Sequence, residues 1–196
     1  MARPPEVDAL AAALQVRARR NLTIPPGAPQ AAVLALLCNV QGQVHVLFTL
    51  RTQTVPTHKG QVAFPGGGRE PEDPDLTATA LREAEEEIGL PPSAVEVLGL
   101  SDDVFSIHGL RVTPVVGWVG VLPPLEPSPR EIADVFTVPL EALRRPDAVT
   151  EQEWHHPDGT PRMVPFYAGG RHQIWGLTAW MLRDLLRVLD NATGTA

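Results

Sequence analysis

Residues 7–20 place Leu10, Ala13, Leu14 and Arg17 at helical spacing, so the chain opens with an amphipathic helix. Pro25, Gly27 and Pro29 break that pattern. Residues 31–40 are apolar apart from Asn39 and read as a buried strand, and 44–51 returns as a second strand after a Gln41-Gly42 turn. A polar loop over 52–60 leads into 62–64 and a glycine triplet at 66–68. The next segment is helical in period. Asp75 is placed to cap its free N–H groups, and Gly89 followed by Pro91 and Pro92 ends it. Strands follow at 95–100 and 110–119, separated by a loop at 101–109. Residues 122–129 are proline-rich; 131–138 is a strand entering a short helix at 140–143. Asp158-Gly159 is a hairpin signature between 153–156 and 162–166. A last strand at 172–175 precedes a helix over 177–189, whose apolar side is Leu177, Trp180, Met181, Leu185 and Leu189. Strands interspersed with helices indicate an α/β (α+β) fold. No repeat or domain boundary interrupts the 196 residues, so one domain over 1–196 is expected.

Composition narrows the class. A net charge of −7 leaves no basic footprint for nucleic acid, but does not exclude anionic substrates, because a bound cation supplies local positive charge. The one cysteine, Cys38, lies within an apolar run and is expected to be buried in a reducing compartment. The longest apolar run, 31–38, is too short to span a membrane, and no signal peptide is apparent. A cytoplasmic protein is expected.

Candidate chemistry concentrates in 64–90. A helix turns about 100° per residue, so Glu83, Glu86 and Glu87 fall within an arc of roughly 100°. Thr77, Ala80, Leu81, Ala84 and Ile88 form the adjoining apolar face, which places the three carboxylates beside the core. Their mutual repulsion destabilises a bare helix, and a hard divalent cation such as Mg²⁺ reverses that term. An acidic run of this kind also suits a solvated helix face. Arg82 sits one turn from Glu86 and can orient it. Gly66, Gly67 and Gly68 form either a plain tight turn or a turn that aims N–H groups at phosphate. Asp102 and Asp103 read as turn acids, His45 as an outward strand residue, and His155 and His156 as neighbours facing opposite ways.

The stretch FPGGGREPEDPDLTATALREAEEEIGL resembles the Nudix box. Its second half matches at each specified position from Arg82 to Leu90. The first half departs: counting from Gly67, the expected Glu is Asp73, and eight residues rather than seven precede Arg82. The resemblance implies a mixed sheet between helices, metal ligands Glu83, Glu86 and Glu87, Mg²⁺ or Mn²⁺ as cofactor, and hydrolysis of a pyrophosphate. It carries over only weakly to Asp73. Gly60 to Gly67, GQVAFPGG, with LFTLR before it, is similar to the motif preceding the box in coenzyme A pyrophosphatases. A basic residue frequent in that motif is replaced by Pro56, with His58 or Lys59 as substitutes. The segments VTPVVG at 112–117, VF at 135–136 with PL at 139–140, and IWGLT at 174–178 also resemble that subfamily. Coenzyme A is the substrate thus implied, with Arg51, His58, Lys59, Gly66 and Gly67 in substrate binding. A helix glutamate or Glu131 is the general base, Glu131 standing where some Nudix enzymes carry an extra acid. Competing expectations are a Nudix enzyme acting on ADP-ribose or NADH, and a nucleotide-sensing Nudix domain without catalysis. Neither nucleic acid nor membrane is expected as a partner.

Overall fold

The computed structural model describes residues 3–54, 59–106, 109–155 and 159–195. In chain order its elements are α1 (Pro5–Val16), β1 (Gln30–Val40), β2 (Gln43–Arg51), β3 (Val62–Ala63), β4 (Gly66–Gly68), α2 (Leu76–Ile88), β5 (Glu96–Leu100), β6 (Val104–Phe105), β7 (Arg111–Val119), β8 (Ile132–Pro139), α3 (Leu140–Arg144), β9 (Val149–His155), β10 (Pro161–Gly169), β11 (His172–Ile174) and α4 (Gly176–Thr193).

A mixed sheet forms the centre, in the order β3-β2-β1-β7-β5, with β4 also on β1, β6 on β7 and β8 on β2. β1 and β7 run parallel from Gln30↔Arg111 to Cys38↔Val119; β1 and β2 form an antiparallel hairpin. Because β1 is covered on both faces, its residues 31–38 are all apolar rather than alternating. Ala31, Ala35 and Leu37 pack with Leu10 and Leu14 of α1 and Leu182 and Leu185 of α4. Ala32, Leu34, Leu36 and Cys38 face the other way, onto Ala80, Ala84 and Ile88 of α2. The fold is thus a mixed sheet held between helices, as the resemblance implied. Burial pushes the Cys38 thiol up to about 11, leaving it a packing residue. β9, β10 and β11 make a second antiparallel sheet. Among the described residues no helix is long and apolar enough to cross a membrane.

Several boundaries differ from the expected ones for identifiable reasons. α1 stops at Val16 because Arg17 turns extended. There Arg17 Nη1 meets Asp102 Oδ1 at 2.8 Å, and Arg19 pairs with Asp103. Asp103 is fully buried and also accepts from Thr113 Oγ1 at 2.6 Å and from the Leu22 N–H at 3.0 Å. These acids therefore anchor the 17–24 segment to the sheet instead of merely closing a turn. The loop expected at 101–109 contains β6. The glycine triplet, expected as a turn, is the short strand β4, paired with Ala31–Val33. On α4, Trp180 is 41% exposed and carries the Arg183 guanidinium over its ring, while Leu182, Leu186 and Val188 are buried in its place. His156 and Asp158 of the expected hairpin tip lie outside the described residues, but β9 and β10 pair on either side of them.

Candidate active site

β1 and β2 separate toward one end, and the 62–68 segment enters between them. Leu34 N–H donates to Pro65 O at 2.8 Å, and β3 pairs with Thr49 and Leu50. This insertion presses Gly66 and Gly67 against α2. A β-carbon on Gly66 would lie 2.4 Å from Ala32 O, and one on Gly67 would lie 2.5 Å from Glu83 Oε2. At Gly66 the obstacle is backbone, so only glycine permits the approach; at Gly67 a β-carbon would instead displace the carboxylate end of Glu83.

α2 begins at Asp75, whose side chain accepts from the Ala78 N–H at 2.9 Å, and ends at Gly89 in the left-handed region. Thr79, Ala80, Ala84, Glu87 and Ile88 are its buried residues. Thr77 and Leu81, expected on the buried face, are only partly covered. The three glutamates are therefore not equivalent. Glu87 is 4% exposed; its Oε1 accepts from Arg51 Nη1 at 3.0 Å and its Oε2 from the Gly66 N–H at 3.1 Å. Glu83 is half-buried against Gly67, with Arg82 Nη1 at 3.0 Å. The Glu86 side chain is 58% exposed at the rim, 3.1 Å from the same Arg82 nitrogen. The expectation that all three lie beside the core needs correcting for Glu86, which stands at the solvent edge of the shared arc.

Burial is the main cause that pushes Glu87 up to about 7, against the Gly66 N–H and Arg51, with Glu83 and Glu131 raising it further. Glu83 is also raised, again chiefly by burial; Arg82 opposes this, while Glu86 and Glu131 add to it. Glu131 precedes β8 and is half exposed, with Oε2 3.9 Å from Arg51 Nη2. Glu83, Glu87 and Glu131 thus act on one another electrostatically around Arg51. This is a site with more negative charge than its own arginines relieve.

Arg82 is more than a partner of Glu86. Its Nε and Nη2 fork onto Asp73 at 3.1 and 3.0 Å, and Nη2 also donates to Gly68 O at 2.9 Å. The Asp73 carboxylate accepts in addition from Thr79 Oγ1 at 2.9 Å and the Glu70 N–H at 3.0 Å. The Arg82 hydrogen bonds hold Asp73 well below the usual carboxylate range, and Asp73 in turn raises Arg82. Asp73 therefore supports Arg82 from behind, and Arg82 Nη1 gathers Glu83 and Glu86.

The residues expected to bind substrate fall in two groups. Arg51 is engaged with Glu87 rather than facing open solvent, and the Gly66 N–H is directed at Glu87. Both set the carboxylate cluster, a role that spacing alone did not indicate. Lys59 is exposed at the base of the 52–60 loop, which Gly60 N–H to Thr52 O (3.3 Å) and Arg51 N–H to Gln61 O (3.0 Å) close beside the site. His58 lies outside the described residues.

As placed, no three His, Cys, Asp or Glu side chains among the described residues stand close enough to clasp a metal ion. Glu87 is turned to Arg51, and Glu83 and Glu86 to Arg82. The donor chemistry nonetheless fits a hard divalent cation: the available donors are carboxylate oxygens, mutually repelling and partly desolvated.

The family model described as NUDIX domain matches residues 28–162. The chain belongs to the Nudix family. It is a Nudix hydrolase, an enzyme class that cleaves pyrophosphates with divalent cations. It is similar to the mitochondrial coenzyme A diphosphatase NUDT8 of Homo sapiens, 36% identical over 194 residues, covering 95% of this chain and 82% of the relative. It is also similar to the uncharacterized Nudix hydrolase NudL of Photorhabdus laumondii, 41% identical over 162 residues, covering 79% of this chain and 81% of that one. Among solved structures, a MutT/nudix family protein from Enterococcus faecalis aligns with a TM-score of 0.53 at 18% identity, over 87% of this chain and 66% of that one. That likeness supports the fold.

Proposed function

We propose that this Nudix hydrolase cleaves the pyrophosphate of coenzyme A, giving 3′,5′-ADP and 4′-phosphopantetheine, and that residues 1–196 act as one domain. The observation that carries the reading is the junction of two features. Glu83 and Glu87, with Glu131 beside them, meet at Gly66 and Gly67. Those glycines end the segment GQVAFPGG, which resembles the motif of coenzyme A pyrophosphatases. The similarity to NUDT8 over most of both chains supports the same substrate.

Glu83, Glu86 and Glu87 would hold Mg²⁺ or Mn²⁺, which supplies charge for the pyrophosphate oxygens and acidifies water. The rest of the mechanism belongs to the chain. Arg82, backed by Asp73, holds Glu83 and Glu86 on one nitrogen, so that their carboxylates stay side by side. Gly66 and Arg51 fix both oxygens of Glu87. Arg51, released from Glu87 when that carboxylate is otherwise engaged, is placed to donate to a phosphate oxygen. Glu131, half exposed and near Arg51, accepts the proton of the attacking water; a helix glutamate is the other candidate. Water oxygen bonds to the pantetheine-side phosphorus, and the bond from that phosphorus to the bridging oxygen breaks. The bridging oxygen leaves on 3′,5′-ADP. Lys59, exposed near the site, would meet further phosphate charge of the substrate. A cytoplasmic setting, with neither nucleic acid nor membrane as partner, accords with this reading.

A panel of coenzyme A, ADP-ribose and NADH with Mg²⁺ tests the reading. Coenzyme A should give the highest kcat/KM. Efficient cleavage of ADP-ribose or NADH with coenzyme A ignored would overturn the substrate assignment and leave the hydrolase standing.

A further inference from the structure

A groove of about 450 Å³ lies beside the site, and no step above uses it. Its floor is the face of β2 and β8 that presents Leu47, Val135 and Thr137; its outer wall is the 122–127 segment, through Leu122, Leu125 and Pro127. The wall is fastened to α2: Glu126 N–H donates to Ile88 O at 2.9 Å and Ser128 N–H to Glu87 O at 2.8 Å. Side chains alternate along a strand, so Leu47 and Arg51 share a face of β2. Ala133 also lines the groove, two residues after Glu131. A strand rises about 3.3 Å per residue, so the stretch from Ala133 to Thr137 leads roughly 13 Å away from the carboxylates.

The lining has a definite chemistry. Among the described residues it contains no lysine, arginine or histidine, so it offers no cation to a phosphate. The acid among its described residues, Asp134, is engaged by Arg171 Nη2 at 2.8 Å and His172 Nε2 at 2.8 Å. Its described residues include no aromatic ring, so a purine would find no face among them to stack on. What fits is a slender, uncharged chain of hydrocarbon and amide groups, attached at the Glu131 end to a phosphate.

We propose that this groove receives the neutral pantetheine arm of the substrate, an assignment that rests on coenzyme A being that substrate. The arm runs along β8 from Ala133 toward Thr137 under the 122–127 wall, while the nucleotide half lies outside it. Ala133 is exposed, so Ala133→Trp fills the mouth without disturbing the core. Val121→Trp adds the same bulk at a position 71% exposed and outside the lining, and serves as the control.

Binding of the two products, 4′-phosphopantetheine and 3′,5′-ADP, is measured by calorimetry with Mg²⁺ present, alongside wild-type turnover of coenzyme A. Ala133→Trp should weaken 4′-phosphopantetheine at least tenfold and leave 3′,5′-ADP within twofold, and Val121→Trp should change neither. If Ala133→Trp fails to fold, Ala133→Leu should give a smaller loss with the same selectivity. Loss of 3′,5′-ADP binding instead would put the nucleotide in the groove and overturn the assignment, as would unchanged binding of both. If wild type hydrolyses coenzyme A while the variant binds both products normally, only the groove assignment fails. If wild type leaves coenzyme A intact and cleaves ADP-ribose or NADH, the substrate reading fails first and the groove assignment with it.

Discussion

Asp73→Asn should weaken the fold far more than it weakens catalysis. The Asp73 carboxylate accepts four hydrogen bonds, two of them from the Arg82 fork. An asparagine amide keeps one acceptor oxygen and turns an NH₂ toward one of those donors. Breaking a buried ion pair costs about 3–5 kcal/mol, and the Arg82 side chain is 22% exposed and so partly rehydrated, which lowers the expected loss to about 2–3 kcal/mol at pH 7. The pH dependence carries the sign. Asp73 is depressed below its ordinary value of 3.8, so its contribution is fully present above that value and is lost as pH falls through the folded-state pKa. With the folded carboxylate still ionised at pH 3, the unfolded chain alone takes up the proton, which removes about 1 kcal/mol of wild-type stability between pH 5 and pH 3. Asp73 is covered by neighbouring side chains near the surface rather than sunk in the core, so solvent screening makes that figure an upper bound. Urea unfolding followed by tryptophan fluorescence at pH 7, 5 and 3 measures both quantities. The gap between wild type and Asp73→Asn should be about 2–3 kcal/mol at pH 7 and 5 and narrower at pH 3. A gap under about 0.5 kcal/mol at pH 7, or one unchanged from pH 5 to pH 3, would refute the reasoning. An activity loss equal to that of Glu87→Gln would move Asp73 from supporting Arg82 to the reacting atoms.

Glu87→Gln should lower turnover by about 100-fold or more with the fold kept, whereas Glu85→Gln, on an exposed position, should stay within twofold of wild type; equal losses would show the helical register to be wrong. Gly67→Ala puts a methyl group where Glu83 Oε2 would be 2.5 Å away, so kcat should fall, by up to about 100-fold, with little change in Tm. Normal kinetics in that variant would remove Glu83 from the site. Arg51→Ala should depress kcat alike for coenzyme A and its analogue lacking the 3′-phosphate, because Arg51 sets Glu87. Lys59→Ala should instead narrow the preference between them, and a reversed pattern would exchange the two roles.

The fold was legible wherever burial dictates the residue type. β1 is apolar on both faces because α1 and α4 cover one side and α2 the other. Asp75 and Gly89 marked the ends of α2 because free N–H groups and a left-handed residue demand those types. Helical spacing brought Glu83, Glu86 and Glu87 to one side, but spacing carries no depth. It could not separate the buried Glu87 from the exposed Glu86, since that difference is set by Gly66 and Arg51 arriving from other strands. The same holds for Asp73, whose contact with Arg82 crosses the irregular 69–75 loop, and for Asp103, paired with Arg19 from 84 residues away. The missed role of Arg51 had one visible signal, its place on β2 directly before the loop that leads to the glycines.

The central claim is most directly tested by incubating the wild-type enzyme with coenzyme A and Mg²⁺ in ¹⁸O-water and weighing the products by mass spectrometry. The products should be 3′,5′-ADP and 4′-phosphopantetheine, with the label in 4′-phosphopantetheine. Intact coenzyme A under conditions where ADP-ribose or NADH is cleaved would contradict the substrate, and label in 3′,5′-ADP would contradict the assigned site of attack.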